Sequence, residues 1–250
     1  ISTLKPVSSF HGGLLVTDDG ELAARVRALA ADFPLRSRRS VPAWLARDYS
    51  MYLAARPEVF AAVGWPLLGQ LERHAPAAVQ AFQRGRLWPS ADPPGVAYRQ
   101  REVPAHWRLR YSDYQARLAL DALARFRPQA ERRARLSARL LAEMTARGVA
   151  GLPRLQPGAE PLFWRVPVWT ADLAATRAAL ARRGIDSTTT NLCCCSRAPA
   201  FPDLHAAMPN AEAFVDHALF LPLHPDLRAS DMVHIATAMG DLQAGPGRRP

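Results

Sequence analysis

A chain of 250 residues, 49% of them hydrophobic and 22% charged, has ordinary globular composition, which excludes wholesale disorder and leaves apolar material for one or two cores. The formal net charge of +10 raises the question of a nucleic-acid partner, but the arginines are scattered from Arg25 to Arg249 without a stripe or interleaved aromatics, so no nucleic-acid binding is expected. No run of about 18 apolar residues occurs; the richest stretch, Met51 to Leu71, is broken by Arg56, Pro57, Glu58 and Pro66, so no membrane span is expected.

In chain order, residues Ile1 to Lys5 lack a charged leader followed by an apolar run, so no signal peptide is expected, and the missing initiating Met points to a piece of a longer chain. Gly12-Gly13 followed by Leu14, Leu15, Val16 and Thr17 predicts a short buried strand entered through a tight turn. Asp18 and Asp19, with Leu22, Val26, Leu29 and Ala30 at helical spacing, predict an amphipathic helix ending before Pro34. From Val41 to about His74 the pattern is apolar and helical and predicts a helical hairpin that packs against the body of the protein or a partner subunit. Leu87 to Pro104 has four prolines and reads as a connector.

Ser112 opens a long helical stretch to Arg147, with Leu118, Leu120, Leu123, Phe126, Leu136, Leu140, Leu141 and Met144 on a recurring face, Pro128 interrupting it, and Gly148 and Gly151 closing it. The remainder alternates. Leu162 to Trp169 reads as a strand, Leu173 to Arg183 as a helix stopped by Gly184, Ile185 to Thr190 as extended, Ala211 to His217 as helical, Ala218 to Leu223 as extended, and Ser230 to Met239 as a helix capped by Ser230. That is a small α+β domain, and the tail from Ala244 is expected to be disordered.

The consecutive Cys193, Cys194 and Cys195 cannot form a disulfide framework and lack metal-ligand spacing, so they read as free thiols of a reducing cytoplasm, and no metal site is expected. The short groups Arg36, Arg38, Arg39 and Arg132, Arg133, Arg135 read as solvated faces, and neither His11 nor His224 is given a role. Among the 32 basic side chains only Lys5 is a lysine. A guanidinium stays protonated and cannot act as an amine nucleophile, so a lone lysine invites a chemical explanation. Ser2 lies three residues before it and the paired glycines seven residues after it, an order that suits an amine condensing with an aldehyde, a hydroxyl bonding a phosphate oxygen, and a backbone turning back tightly.

The run Ser2 to Leu29 resembles the DegT/DnrJ/StrS family of sugar aminotransferases. So does Arg110-Tyr111-Ser112-Asp113 leading into Gln115-Ala116 and a helix with Arg132 and Arg133, which is similar to the family's Arg-Met-Ser segment. The blocks Pro161 to Pro167, Leu180 to Ile185, Pro209 to Glu212, and Leu221-Pro222-Leu223-His224-Pro225 through Asp231 resemble its C-terminal domain. The resemblance implies an α/β chain: part of a type I pyridoxal-phosphate transferase fold, with the rest of the large domain and a helical insertion in 1–110, a linking helix and small α+β domain in 111–243, and a tail in 244–250. It implies pyridoxal phosphate as cofactor, a homodimer in the cytoplasm, and amino transfer from a donor such as glutamate to a nucleotide-linked keto sugar. Lys5 would hold the cofactor as a Schiff base and move the proton; related dehydratases have histidine there, so lysine favours transamination.

Ser2 would bond the cofactor phosphate. Arg108 stands where the family commonly has an Asn that reaches the neighbouring subunit's cofactor phosphate, and either binds that phosphate or is solvated. Arg110 either meets the substrate's diphosphate or forms an ordinary salt bridge. The family's aspartate, ring-stacking aromatic and phosphate-binding helix start lie upstream of the lysine, so a non-catalytic remnant or interaction domain without cofactor is the alternative.

Overall fold

The computed structural model describes residues 7, 13–35, 40–54, 56–75, 108–189, 194 and 207–244. These fall into two units divided between Arg127 and Pro128.

In the first unit, helix α1 (Gly20–Ala31) starts where the acidic pair predicts, because the Asp19 carboxylate accepts hydrogen bonds from the backbone N–H groups of Glu21 and Leu22 at 2.9 and 3.0 Å. It ends ahead of Pro34. The buried strand expected over Leu14 to Thr17 is not found: these residues pair with no described strand, and Val16 is 83% exposed. Three consecutive apolar residues, Leu14 to Val16, record a tendency toward burial, but a strand exists only where a neighbour completes its hydrogen bonds. Helical structure continues as α2 (Ser40–Ala54), α3 (Pro57–Val59), a π turn (Phe60–Gly64) and α4 (Trp65–His74), in agreement with the helical reading of Val41 to His74. In the π turn a Cβ on Gly64 would stand 2.6 Å from the Phe60 ring, which accounts for glycine there.

Helix α5 (Asp113–Ala146) runs without a break through Pro128, although proline has no N–H to offer the preceding turn. Its second half belongs to the second unit, where strands β1 (Val166–Trp169), β2 (Thr188–Thr189) and β3 (Ala218–Leu221) form an antiparallel sheet of order β1-β3-β2. The register pairs Val166 with Leu221 and Trp169 with Ala218 on one side, and Thr188 with Phe220 on the other. The strands are shorter than predicted because the four residues of β3 set the length of the ladder; Leu162 to Arg165, Ile185 to Ser187, and Pro222 and Leu223 have no partner strand among the described residues, and Thr190 lies outside them. Between the sheet and the helices α5, α6 (Leu173–Arg182) and α8 (Ala229–Ala244) lies one core, built from Leu136, Leu140 and Met144, from Val166, Val168, Leu219 and Leu221, and from Leu180, Met232, Ile235 and Met239. Helix α7 (Pro209–His217) leads directly into β3, and its Phe214 ring meets Phe220 edge-on.

Two helix ends share one device. At α6, Gly184 adopts φ 74°, its N–H reaches the carbonyl of Ala181 at 3.0 Å, and the N–H of Ile185 reaches that of Leu180 at 3.0 Å. Gly148 closes α5 the same way, with Val149 bonded back to Met144. In both, a buried apolar residue follows the left-handed glycine and packs into the core the helix serves. The start of α8 departs from expectation. The helix begins at Ala229, and the Asp231 carboxylate accepts from the backbone N–H of Arg228 at 2.6 Å, so the cap centres on Arg228 and Ser230 lies inside the first turn. Ala244, expected to open the disordered tail, is instead the last residue of α8; of the cysteine run Cys194 is described and buried, while Cys193 and Cys195, the connector 87–104 and the tail residues 245–250 lie outside the described residues.

Candidate functional site

Ser2 and Lys5, the predicted cofactor ligands, lie outside the described residues. What is described is the segment Arg108 to Gln115, which the sequence marked as a second part of the site.

That segment is fixed at both ends by local chemistry. At its C-terminal end Ser112 and Gln115 form a reciprocal cap: the Ser112 hydroxyl accepts from the Gln115 backbone N–H at 3.3 Å, and the Gln115 amide oxygen accepts from the Ser112 backbone N–H at 3.2 Å. The two side chains also bond each other, Ser112 Oγ to Gln115 Oε1 at 3.1 Å. Gln115 is buried, and the Tyr111 hydroxyl donates to its backbone carbonyl at 3.1 Å. The serine of the Arg-Tyr-Ser segment thus caps α5, and its arginine precedes that cap by two residues. On the other side the Arg110 backbone N–H donates to the Pro34 carbonyl at 2.9 Å, and Arg110 forms a parallel bridge with Leu35, just beyond the end of α1.

With its backbone held from two directions, Arg110 presents an exposed side chain, and Arg108 is exposed as well. Among the described residues neither guanidinium is engaged in an ion pair, so the salt-bridge reading of Arg110 finds no support there. Two exposed guanidinium forks on a pinned segment suit phosphate or diphosphate oxygens.

The second unit holds a different basic group. Arg132 is exposed, and its Nε donates to the carbonyl of Pro225 while Nη2 reaches that of Leu227 at 3.4 Å. This ties α5 to the Leu221-to-Pro225 loop that follows β3. Arg133, expected on a solvated face, is instead buried at 6% exposure. The signal was present in the sequence: positions 133, 136, 137, 140 and 144 share the spacing of one helix face, and the structure buries all five. Burial holds the Arg133 guanidinium below its usual pKa. Nearby, His224 Nδ1 lies 3.4 Å from the Asp226 carboxylate. Although the His224 side chain is largely exposed, partial desolvation lowers its pKa, Asp226 opposes that shift, and the positive charge of Arg133 adds to it.

Among the described residues no group of His, Cys, Asp and Glu is arranged to hold a metal ion, and no helix is long and apolar enough to cross a membrane. The profile of the DegT/DnrJ/EryC1/StrS aminotransferase family matches residues 96–240, which include Arg108, the Ser112 cap and the whole sheet. No curated protein sequence matches the chain. Among solved structures, S. venezuelae DesV in complex with a ketimine intermediate is 26% identical, with 56% of this chain and 38% of that one covered and a TM-score of 0.48. A DegT DnrJ EryC1 StrS aminotransferase from Brucella abortus is 21% identical over 62% of this chain and 41% of its own, at a TM-score of 0.49. The sugar aminotransferase CalS13 from Micromonospora echinospora is 18% identical over 58% and 39%, at 0.46. The chain therefore spans about two fifths of the length of these structures.

Proposed function

Because the chain belongs to the DegT/DnrJ/EryC1/StrS aminotransferase family, we propose that it supplies the C-terminal portion of a pyridoxal-phosphate-dependent aminotransferase acting on a nucleotide-linked keto sugar. The observation that carries this reading is the family match over residues 96–240, which joins the Arg-Tyr-Ser segment and the small sheet domain in one continuous block.

The donor set suits the cofactor. Lys5 is the only lysine of the sequence and so its only side-chain primary amine, Ser2 is a hydroxyl close to it in sequence, and Arg108 and Arg110 are exposed cations without ion pairs among the described residues. When bound, pyridoxal phosphate supplies an electron-accepting ring that lets a proton leave the carbon beside the substrate nitrogen. Lys5 would anchor the cofactor covalently, release it to the incoming amine, and carry the proton between carbon atoms as a neutral base. Ser2 and Arg108 would hold the phosphate, with Arg108 directed at the cofactor of a neighbouring subunit in a homodimer. Arg110 would bind the substrate's diphosphate, so that the charged part of the sugar nucleotide fixes the position of the keto carbon. Glutamate would be the amino donor, and the cytoplasm the site of action.

The test is spectroscopic. The protein mixed with pyridoxal phosphate should develop the absorbance band of a covalently held cofactor, and Lys5→Arg should remove it. The same band in Lys5→Arg would remove Lys5 from the chemistry, and no band in either protein would favour a domain that binds no cofactor.

A further inference from the structure

We propose that Arg133 forms the floor of a binding crevice for a single oxyanion, a carboxylate or a phosphate group, brought from outside the second unit. Arg133 is 6% exposed, yet no described residue accepts a hydrogen bond from it or pairs with it. Burial makes an unpaired charge expensive, and a mostly buried guanidinium whose nitrogens meet only solvent is better satisfied by a paired anion. A guanidinium is fully protonated at neutral pH and offers a planar fork that matches two oxygens of a carboxylate or phosphate.

Among the described residues no carboxylate pairs with Arg133. Arg133 shares its helix face with Leu136, Leu140 and Met144, which are apolar, and with Ser137, whose hydroxyl donates to the Ala134 carbonyl. The adjacent cation, Arg132, is occupied by the carbonyls of Pro225 and Leu227, which satisfy its N–H groups and leave its charge in place. The nearby carboxylate of Asp226 is directed at His224. The Asp231 carboxylate is used by the Arg228 backbone N–H. Among the described residues, then, no carboxylate is placed on the Arg133 guanidinium itself. Access remains open: among the described residues the one sealed side-chain polar atom without a partner is Ser187 Oγ, so the Arg133 nitrogens keep a path to solvent.

The proposal needs neither Lys5 nor pyridoxal phosphate, so its failure and that of the proposed function are distinguishable. Its test uses the whole chain. Side-chain Nε–H signals of arginine are followed by NMR while inorganic phosphate, or acetate in a second series, is added at constant ionic strength with chloride as the balancing ion; Arg133→Lys identifies the Arg133 signal by its loss. A saturable shift of the Arg133 signal, with little movement of Arg132, is expected. Saturation by phosphate alone identifies a phosphorylated ligand, saturation by acetate alone a carboxylate, and saturation by both the shared oxyanion chemistry. In parallel, the effective anion should raise the melting temperature of the wild type and leave that of Arg133→Met unchanged. A linear drift equal to that of exposed arginines overturns the proposal, as does an equal thermal shift in both proteins. Should Arg133→Met fail to fold, the wild-type titration decides alone.

Discussion

Leu140 and Leu120 lie on the same helix, and the structure gives them opposite fates: Leu140 is 0% exposed in the core of the second unit, while Leu120 is 66% exposed. Truncating Leu140 to Ala removes three carbons from a cluster shared with Leu136, Met144 and the sheet residues, and rigid neighbours on several elements leave the space only partly filled. The expected loss is about 2–5 kcal/mol, a large share of the ~5–15 kcal/mol that stabilises an ordinary domain. Leu120→Ala should change stability by less than about 0.5 kcal/mol. Native-state hydrogen exchange at the Leu219 and Leu221 amides of the central strand reads the difference directly, with protection falling roughly thirtyfold to several thousandfold in Leu140→Ala. Equal losses in the two variants would refute the assignment of the core face.

Three further outcomes follow from single features. Ser112→Ala removes the hydroxyl that accepts the Gln115 N–H and should cost about 1 kcal/mol, seen as faster exchange in the first turn of α5. Gly151→Ala places a Cβ 2.5 Å from the Trp169 Cβ at φ 73°, whereas Gly158→Ala, at φ 76°, meets nothing within 4 Å; thermal melts should show the first well beyond the ~1–3 kcal/mol of backbone strain that both incur. His224 should titrate by NMR below its ordinary 6.5, with Asp226→Asn lowering it further and Arg133→Met raising it. Since the folded state disfavours the charged ring, this group's stability contribution is fully present above pH 6.5 and declines as pH falls below it toward the folded value. Its side chain is 60% exposed, so the effect on overall stability is small.

Helices were legible from the sequence because their signals are local. Asp19 caps α1, and the spacing Leu136, Leu140, Met144 describes a core face before any partner is known. The β content was legible only in outline. Ala218 to Leu221 is the central strand, but the extent of its neighbours depends on pairing, which a single segment does not encode, and the run Leu14 to Thr17 shows the same limit. Asp231 displaced Ser230 as the capping group because a carboxylate three residues inside the turn can reach back to the backbone ahead of it, an arrangement that the serine alone concealed. Arg133 was misread because its charge outweighed its position on the apolar face. At the candidate site Arg110 was marked by motif, and the structure adds the backbone bridge to Leu35 that pins it. On the proposed reading, Arg110→Ala should raise KM for a nucleotide-linked sugar about 10- to 150-fold and alter kcat little, the loss expected for a hydrogen bond to a charged group.

The role of Lys5 can be read chemically. Protein incubated with pyridoxal phosphate, reduced with borohydride and digested should yield one stable cofactor-bearing peptide, the one containing Lys5. Cofactor mass on the chain terminus alone, or on no peptide, would contradict covalent capture by that lysine.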